Sequence, residues 1–121
     1  MNEELLYKIS ILEQEAKKME ESIKAVNEQI SEFESLKSSI SSLDKDVLAG
    51  LGKGIYFKSQ VQDQDFLVNV GCNILIKKNK EQAVQIVDKQ IKELEQLKLR
   101  LLENVEHLNK QMSGLVEKAS S

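Results

Sequence analysis

Three features of this sequence carry residue types that chemistry uses. The first is Gly50-Leu51-Gly52-Lys53-Gly54, where glycines beside a lysine suggest a cradle for phosphate. A phosphate loop needs fixed spacing and a helix whose first amides face the anion. This run has neither the Walker nor the dinucleotide spacing, and no helical pattern follows it, so it reads as a turn between strands. The second is Cys72, the single cysteine. A redox thiol needs an electropositive setting. Lys77, Lys78 and Lys80 bring some charge, but no second Cys and no His adjoins, and a structural or partly exposed thiol is the simpler reading. The third is His107, between Glu106 and Leu108; a metal ligand needs partners that this chain lacks, so it reads as a solvated surface residue. With one histidine and no Ser-His-Asp or His-x-x-His spacing, the sequence offers no catalytic set. It is read as a non-enzyme with no cofactor and no metal.

Composition says what the chain is built for instead. It has 121 residues, a length that predicts one domain. Forty per cent are hydrophobic but only 4% are aromatic, and proline is absent where about six would be average. That absence predicts long uninterrupted helices. One cysteine excludes an internal disulfide framework and suits a reducing compartment, the cytosol. The net charge is −3, with one arginine, Arg100, against sixteen lysines. Such a surface is a poor fit to phosphate backbones or stacked bases, so nucleic acid is not an expected partner. No apolar run is long enough to span a bilayer, and the opening Met-Asn-Glu-Glu lacks the basic leader of a secretory signal. Neither a membrane partner nor export is expected, and the protein is read as cytoplasmic.

Glycine and hydrophobic rhythm divide the chain into a helix over about 2–45, strands over 47–78 and a helix over 79–119. The first helix carries an apolar seam: Leu5, Ile9, Leu12, Ala16, Met19, Ile23, Val26, Ile30 and Phe33, spaced four and three, the pattern of a coiled coil. Leu36, Ile40, Leu43 and Val47 continue it, but Phe33 to Leu36 repeats a step of three, a stammer. The last helix has Val84, Val87, Ile91, Leu94, Leu97, Leu101, Val105, Leu108, Met112, Leu115 and Ala119, with a second stammer at Leu97. An antiparallel fold-back that sets Ile40 against Val87 and Leu5 against Ala119 also sets Phe33 against Leu94, where both stammers coincide. Asn79 followed by Gln82 predicts an N-cap with its capping-box partner.

The middle segment alternates as strands do. Ile55, Phe57, Ser59 and Val61 share one side, and Tyr56, Lys58 and Gln60 the other. Gln62-Asp63-Gln64-Asp65 reads as a loop; Phe66, Val68 and Val70 follow, then a turn at Gly71-Cys72-Asn73 and a strand at Ile74-Leu75-Ile76. A strand at Val47–Leu51 is expected to pair with Ile55–Val61, giving four strands in two hairpins. Phe57, Val61, Phe66, Val68, Val70, Ile74 and Ile76 offer more apolar surface than two hairpins can bury. Open edges have to be paired or covered. Oligomerisation through the strands is therefore expected.

Long helix, two β-hairpins and long helix in this length resembles the α-type subunit of prefoldin (GimC). The resemblance lies in Val47-Leu48-Ala49-Gly50-Leu51-Gly52-Lys53-Gly54-Ile55-Tyr56 and Phe66-Leu67-Val68-Asn69-Val70-Gly71-Cys72-Asn73, completed by Ile74-Leu75-Ile76-Lys77-Lys78-Asn79-Lys80-Glu81-Gln82-Ala83. It covers nearly the whole chain as one prefoldin-like domain, residues 1–121, although its helices are generic coiled coil. β-type subunits have a single hairpin, so four strands favour the α-type. The family often has a proline where this chain has Ala49 and Gly50, and a second glycine where it has Asn73, a residue that tolerates the left-handed conformation. The resemblance implies a mainly α fold with a small β part: a long antiparallel coiled-coil hairpin with two β-hairpins at the connecting end. It implies a hexamer of two α-type and four β-type subunits, an ATP-independent holdase that captures unfolded proteins at its coiled-coil tips and delivers them to a group II chaperonin.

On that reading the client-binding tip is Leu5, Leu6, Ile9, Ile11, Leu12, Met112, Leu115 and Val116. Leu6, Ile11 and Val116 fall off the seam; single exposed apolar residues are also ordinary on protein surfaces. Gly114 weakens its helix, and the last turns are expected to fray. Two alternatives use the same helices. A structural coiled-coil tether explains the seams and the assembling strands but gives no reason for apolar residues off the seam. A nucleic-acid-binding arm needs a basic stripe, whereas Glu3, Glu4, Glu13, Glu15, Glu20 and Glu21 outnumber Lys8, Lys17 and Lys18.

Overall fold

The structure is a computed structural model that describes residues 3–61 and 65–120. The elements run α1 (Glu3–Ser41), β1 (Asp46–Gly52), β2 (Ile55–Gln60), β3 (Asp65–Asn69), β4 (Leu75–Asn79) and α2 (Lys80–Ser120). Two compact units result: a helical unit of Met1–Ser31 and Lys92–Ser121, and a hairpin unit of Glu32–Ile91. The four strands expected from the alternation are present as two separate antiparallel hairpins, β1–β2 and β3–β4. The linker residues Gln62, Asp63 and Gln64, expected as a loop, lie outside the described residues.

Both hairpins close on tight turns whose central residues are left-handed. In the first, Lys53 (φ 52°) and Gly54 (φ 79°) join Gly52 to its partner Ile55. In the second, the Ile74 amide donates to the Gly71 carbonyl (2.9 Å) around Cys72 (φ 50°) and Asn73 (φ 60°). Positive φ at both central positions gives a turn the twist of the strands it connects. Asn73 thus does the work of the glycine that often stands there in the resembled family. A bulge between Gly50 and Gly52 shifts the first hairpin's register. Beyond β2, the Val61 amide donates to the Lys45 carbonyl (2.6 Å), so pairing continues outside the strand proper. β4 runs three residues past the expected Ile76, because Lys77, Lys78 and Asn79 pair with Leu67, Phe66 and Asp65.

Asn79 is both the last strand residue and the cap of α2. Its side-chain oxygen accepts from the Gln82 amide (2.8 Å), and its own amide donates to Gln82 Oε1 (3.1 Å). This is the expected capping box. At the other end, α1 stops at Ser41, short of the expected 45. The Ser42 amide and hydroxyl both donate to the Ser38 carbonyl (2.9 and 2.8 Å). Leu43 is therefore not in a helix, and Val47 lies in β1.

The seams differ from expectation at one place in each helix. In α1 the covered residues are Leu5, Ile9, Leu12, Ala16, Met19, Ile23, Val26, Ile30, Phe33, Lys37 and Ile40. In α2 they include Val87, Ile91, Leu94, Lys98, Leu101, Val105, Leu108, Met112, Leu115 and Ala119. Both series alternate four and three without a break. Leu36 and Leu97 stand outside them, 45% and 37% exposed. Neither helix carries a stammer. The reason is angular: two steps of three advance about 600°, far from a whole number of turns, while a heptad advances about 700°. A lysine stem fills the seam position while its ammonium stays in water. Lys37 does so with Nζ 2.7 Å from Asp88 Oδ1, across the two helical segments of the hairpin unit. Lys80 of α2 adds a second tie, its ammonium donating to the Ser41 carbonyl at the end of α1 (2.8 Å).

Candidate functional site

No side chain among the described residues is completely enclosed. The deepest, Ala16, Val26, Ile40, Ala83, Val87, Ile91 and Leu108, keep 4–9% of their exposure. The notable surface is apolar, and each unit has its own.

In the hairpin unit, directly opposed residues share a face. The pairs Val68–Ile76 and Phe66–Lys78, with Val70 and Ile74 beyond them, put Phe66, Val68, Val70, Ile74 and Ile76 on one face of β3–β4. Phe57 and Val61 belong to the other hairpin. The seven predicted residues are thus two groups rather than one. Their exposure also divides them. Phe66, Val68 and Val61 are half-buried, while Val70 and Ile74 are open. Phe66 and Val68 line a cavity of about 510 Å3 with Phe33, Leu36, Ile40 and Ile86. The wide stripe Ala83, Val84, Ile86 and Val87 at the start of α2 is covered in the same unit.

Leu48, Leu51, Ile55, Tyr56, Leu67 and Leu75 were missed, and all are more than half exposed. Leu67 and Leu75 lie on the face of β3–β4 opposite Phe66, where Lys77 pairs with Asp65 (3.3 Å). Leu48 pairs with Lys58, and the ring of Tyr56 lies over Gly50, where a Cβ would meet it at 3.4 Å. The signal for these residues was present, since both strand faces are apolar in places.

In the helical unit, Leu5, Ile9, Leu12, Met112 and Leu115 are seam residues and half-buried. Leu6, Ile11 and Val116 stand off the seam, 47%, 38% and 46% exposed. A cleft of about 590 Å3 brings Ile11 and Leu12 of α1 together with Leu115 of α2, between Lys8, Gln111, Gly114 and Lys118. Met112 and Val116 line a separate shallow depression with Asn109 and Glu117. α2 continues through Gly114 to Ser120. Tyr7, 69% exposed, and Leu99 and Leu102 of α2 are further open residues that the tip assignment left out. The seam rhythm already places all three off it.

The residues first considered for chemistry stand apart from these surfaces. Gly50 to Gly52 end β1, and a strand rather than a helix follows the turn. Cys72 is exposed at the β3–β4 turn. Among the described residues, no three His, Cys, Asp or Glu side chains gather as a metal site. The Gln111 amide donates to His107 Nε2, 3.3 Å away on the same helix face. No described helix is long and apolar enough to cross a membrane.

Helices framing two small hairpins, with apolar strands left open, are the marks of a subunit rather than a self-sufficient globule. The sequence model for the prefoldin subunit matches residues 12–121. A Thermofilum pendens protein named prefoldin subunit alpha is 34% identical over 126 residues, covering 98% of this chain and 95% of that protein. A prefoldin subunit alpha of Methanococcus maripaludis strain C5 is 31% identical over 107 residues, 81% of this chain and 72% of its own length. The fold is also that of a chain in the cryo-EM structure of filamentous PFD from Methanocaldococcus jannaschii, with a TM-score of 0.54 at 22% identity over 94% of this chain and 93% of that one. The chain belongs to the prefoldin subunit family.

Proposed function

We propose that this chain is an α-type prefoldin subunit, one prefoldin-type module over 1–121, acting in an ATP-independent holdase. The exposed strand residues Phe57, Val70, Ile74 and Ile76, with Leu48, Leu51, Ile55, Leu67 and Leu75, join it to β-type subunits in an α2β4 hexamer. Leu5, Leu6, Ile9, Ile11, Leu12, Met112, Leu115 and Val116 at the helix ends hold non-native proteins, which pass to a group II chaperonin in the cytoplasm. Family membership and relatives named prefoldin subunit alpha support the subunit assignment. The observation that carries the reading furthest is the crowding of open apolar residues on both hairpins. Contiguous apolar surface of this kind marks an interaction site.

Holding need not be strong at any one contact. Covering a few hundred Å2 at about 25 cal/mol per Å2 offers several kcal/mol, much of it consumed by ordering. Several helix ends in one complex gain by multivalency. Co-expression with a β-type subunit, followed by native mass measurement and an assay of denatured-client aggregation, tests the proposal. A hexamer that suppresses aggregation without nucleotide is expected. A hexamer that assembles and fails to suppress it leaves the structural tether as the better reading.

A further inference from the structure

We draw no further inference here: the strongest candidate, the apolar cleft of about 510 Å3 between β3 and the two helical segments of the hairpin unit, shares Leu67 with the strand surface already described, and nothing in the structure shows what covers it.

Discussion

The two units expose apolar residues for different physical reasons. In the hairpin unit the backbone itself is unfinished: two hairpins, each only two strands wide, carry apolar side chains on both faces, and a ladder of that width has no face or edge of its own to cover them. In the helical unit the backbone pairs within each helix away from its ends, and the open residues are ones the heptad does not use, such as Leu6, Ile11 and Val116. The first kind of exposure calls for a fixed partner with complementary strands. The second tolerates any apolar segment, because helix faces offer side chains without backbone hydrogen bonds. On the proposed reading, one surface serves permanent assembly and the other transient contact.

The sharpest way to break that comparison is to charge the strands. Leu48→Asp with Ile74→Asp changes two exposed positions, 67% and 57% open, and should leave the chain folded while releasing it from the complex. Burying unpaired carboxylates in an interface costs several kcal/mol. Native mass spectrometry and circular dichroism read the two effects separately; an unchanged oligomer mass would place assembly in the helices. Val68→Asp is a useful contrast. Val68 is half-buried on the cavity of its own unit, so this change should also lower the stability of the isolated chain.

In the helical unit the largest effects belong to the seam. Leu108→Ala, at a site 7% exposed, should cost about 2–4 kcal/mol in denaturant unfolding, the usual range for truncating a buried leucine. Leu94→Ala and Leu97→Ala then form a discriminating pair. If the heptad runs through Lys98, Leu97→Ala should cost under about 1 kcal/mol and Leu94→Ala clearly more. Equal losses would restore the stammer. Lys98→Leu should stabilise by roughly 1 kcal/mol, since a polar residue at a seam position trades stability for register.

That pair also shows where sequence reading reached its limit. Strand pairing, both turns and the Asn79–Gln82 box were legible, because glycine, asparagine and alternation act locally. The seam was legible until an aliphatic residue stood beside a lysine. At Leu36–Lys37 and Leu97–Lys98 hydropathy favours the leucine, while helix geometry favours the residue that keeps the angle. The end of α1 was overrun for a similar reason: Leu43 and Val47 fit the rhythm, but α1 ends at Ser41 and Val47 lies in β1. For the surfaces, the strand and helix-end residues could be named from pattern. How they divide between open faces and cavities could not, because the cavity that Phe66 and Val68 line is completed by Phe33, Leu36 and Ile86, distant in sequence.

The smallest effect is at the cap. Asn79→Ala should cost about 1 kcal/mol by removing one side of the capping box, read as a shift in the unfolding midpoint. Because Asn79 also ends β4 opposite Asp65, the loss should loosen the end of that hairpin, and hydrogen exchange at residues 77–79 should rise. Protection unchanged there would mean that strand and cap are energetically separate.

The most direct test of the division of labour is one measurement on a complex lacking residues 1–8 and 113–121: suppression of light scattering by a denatured client, taken on material whose mass has been verified. The account predicts an intact assembly that no longer protects the client. Protection equal to that of the full-length complex would contradict it and place client binding outside the helix ends.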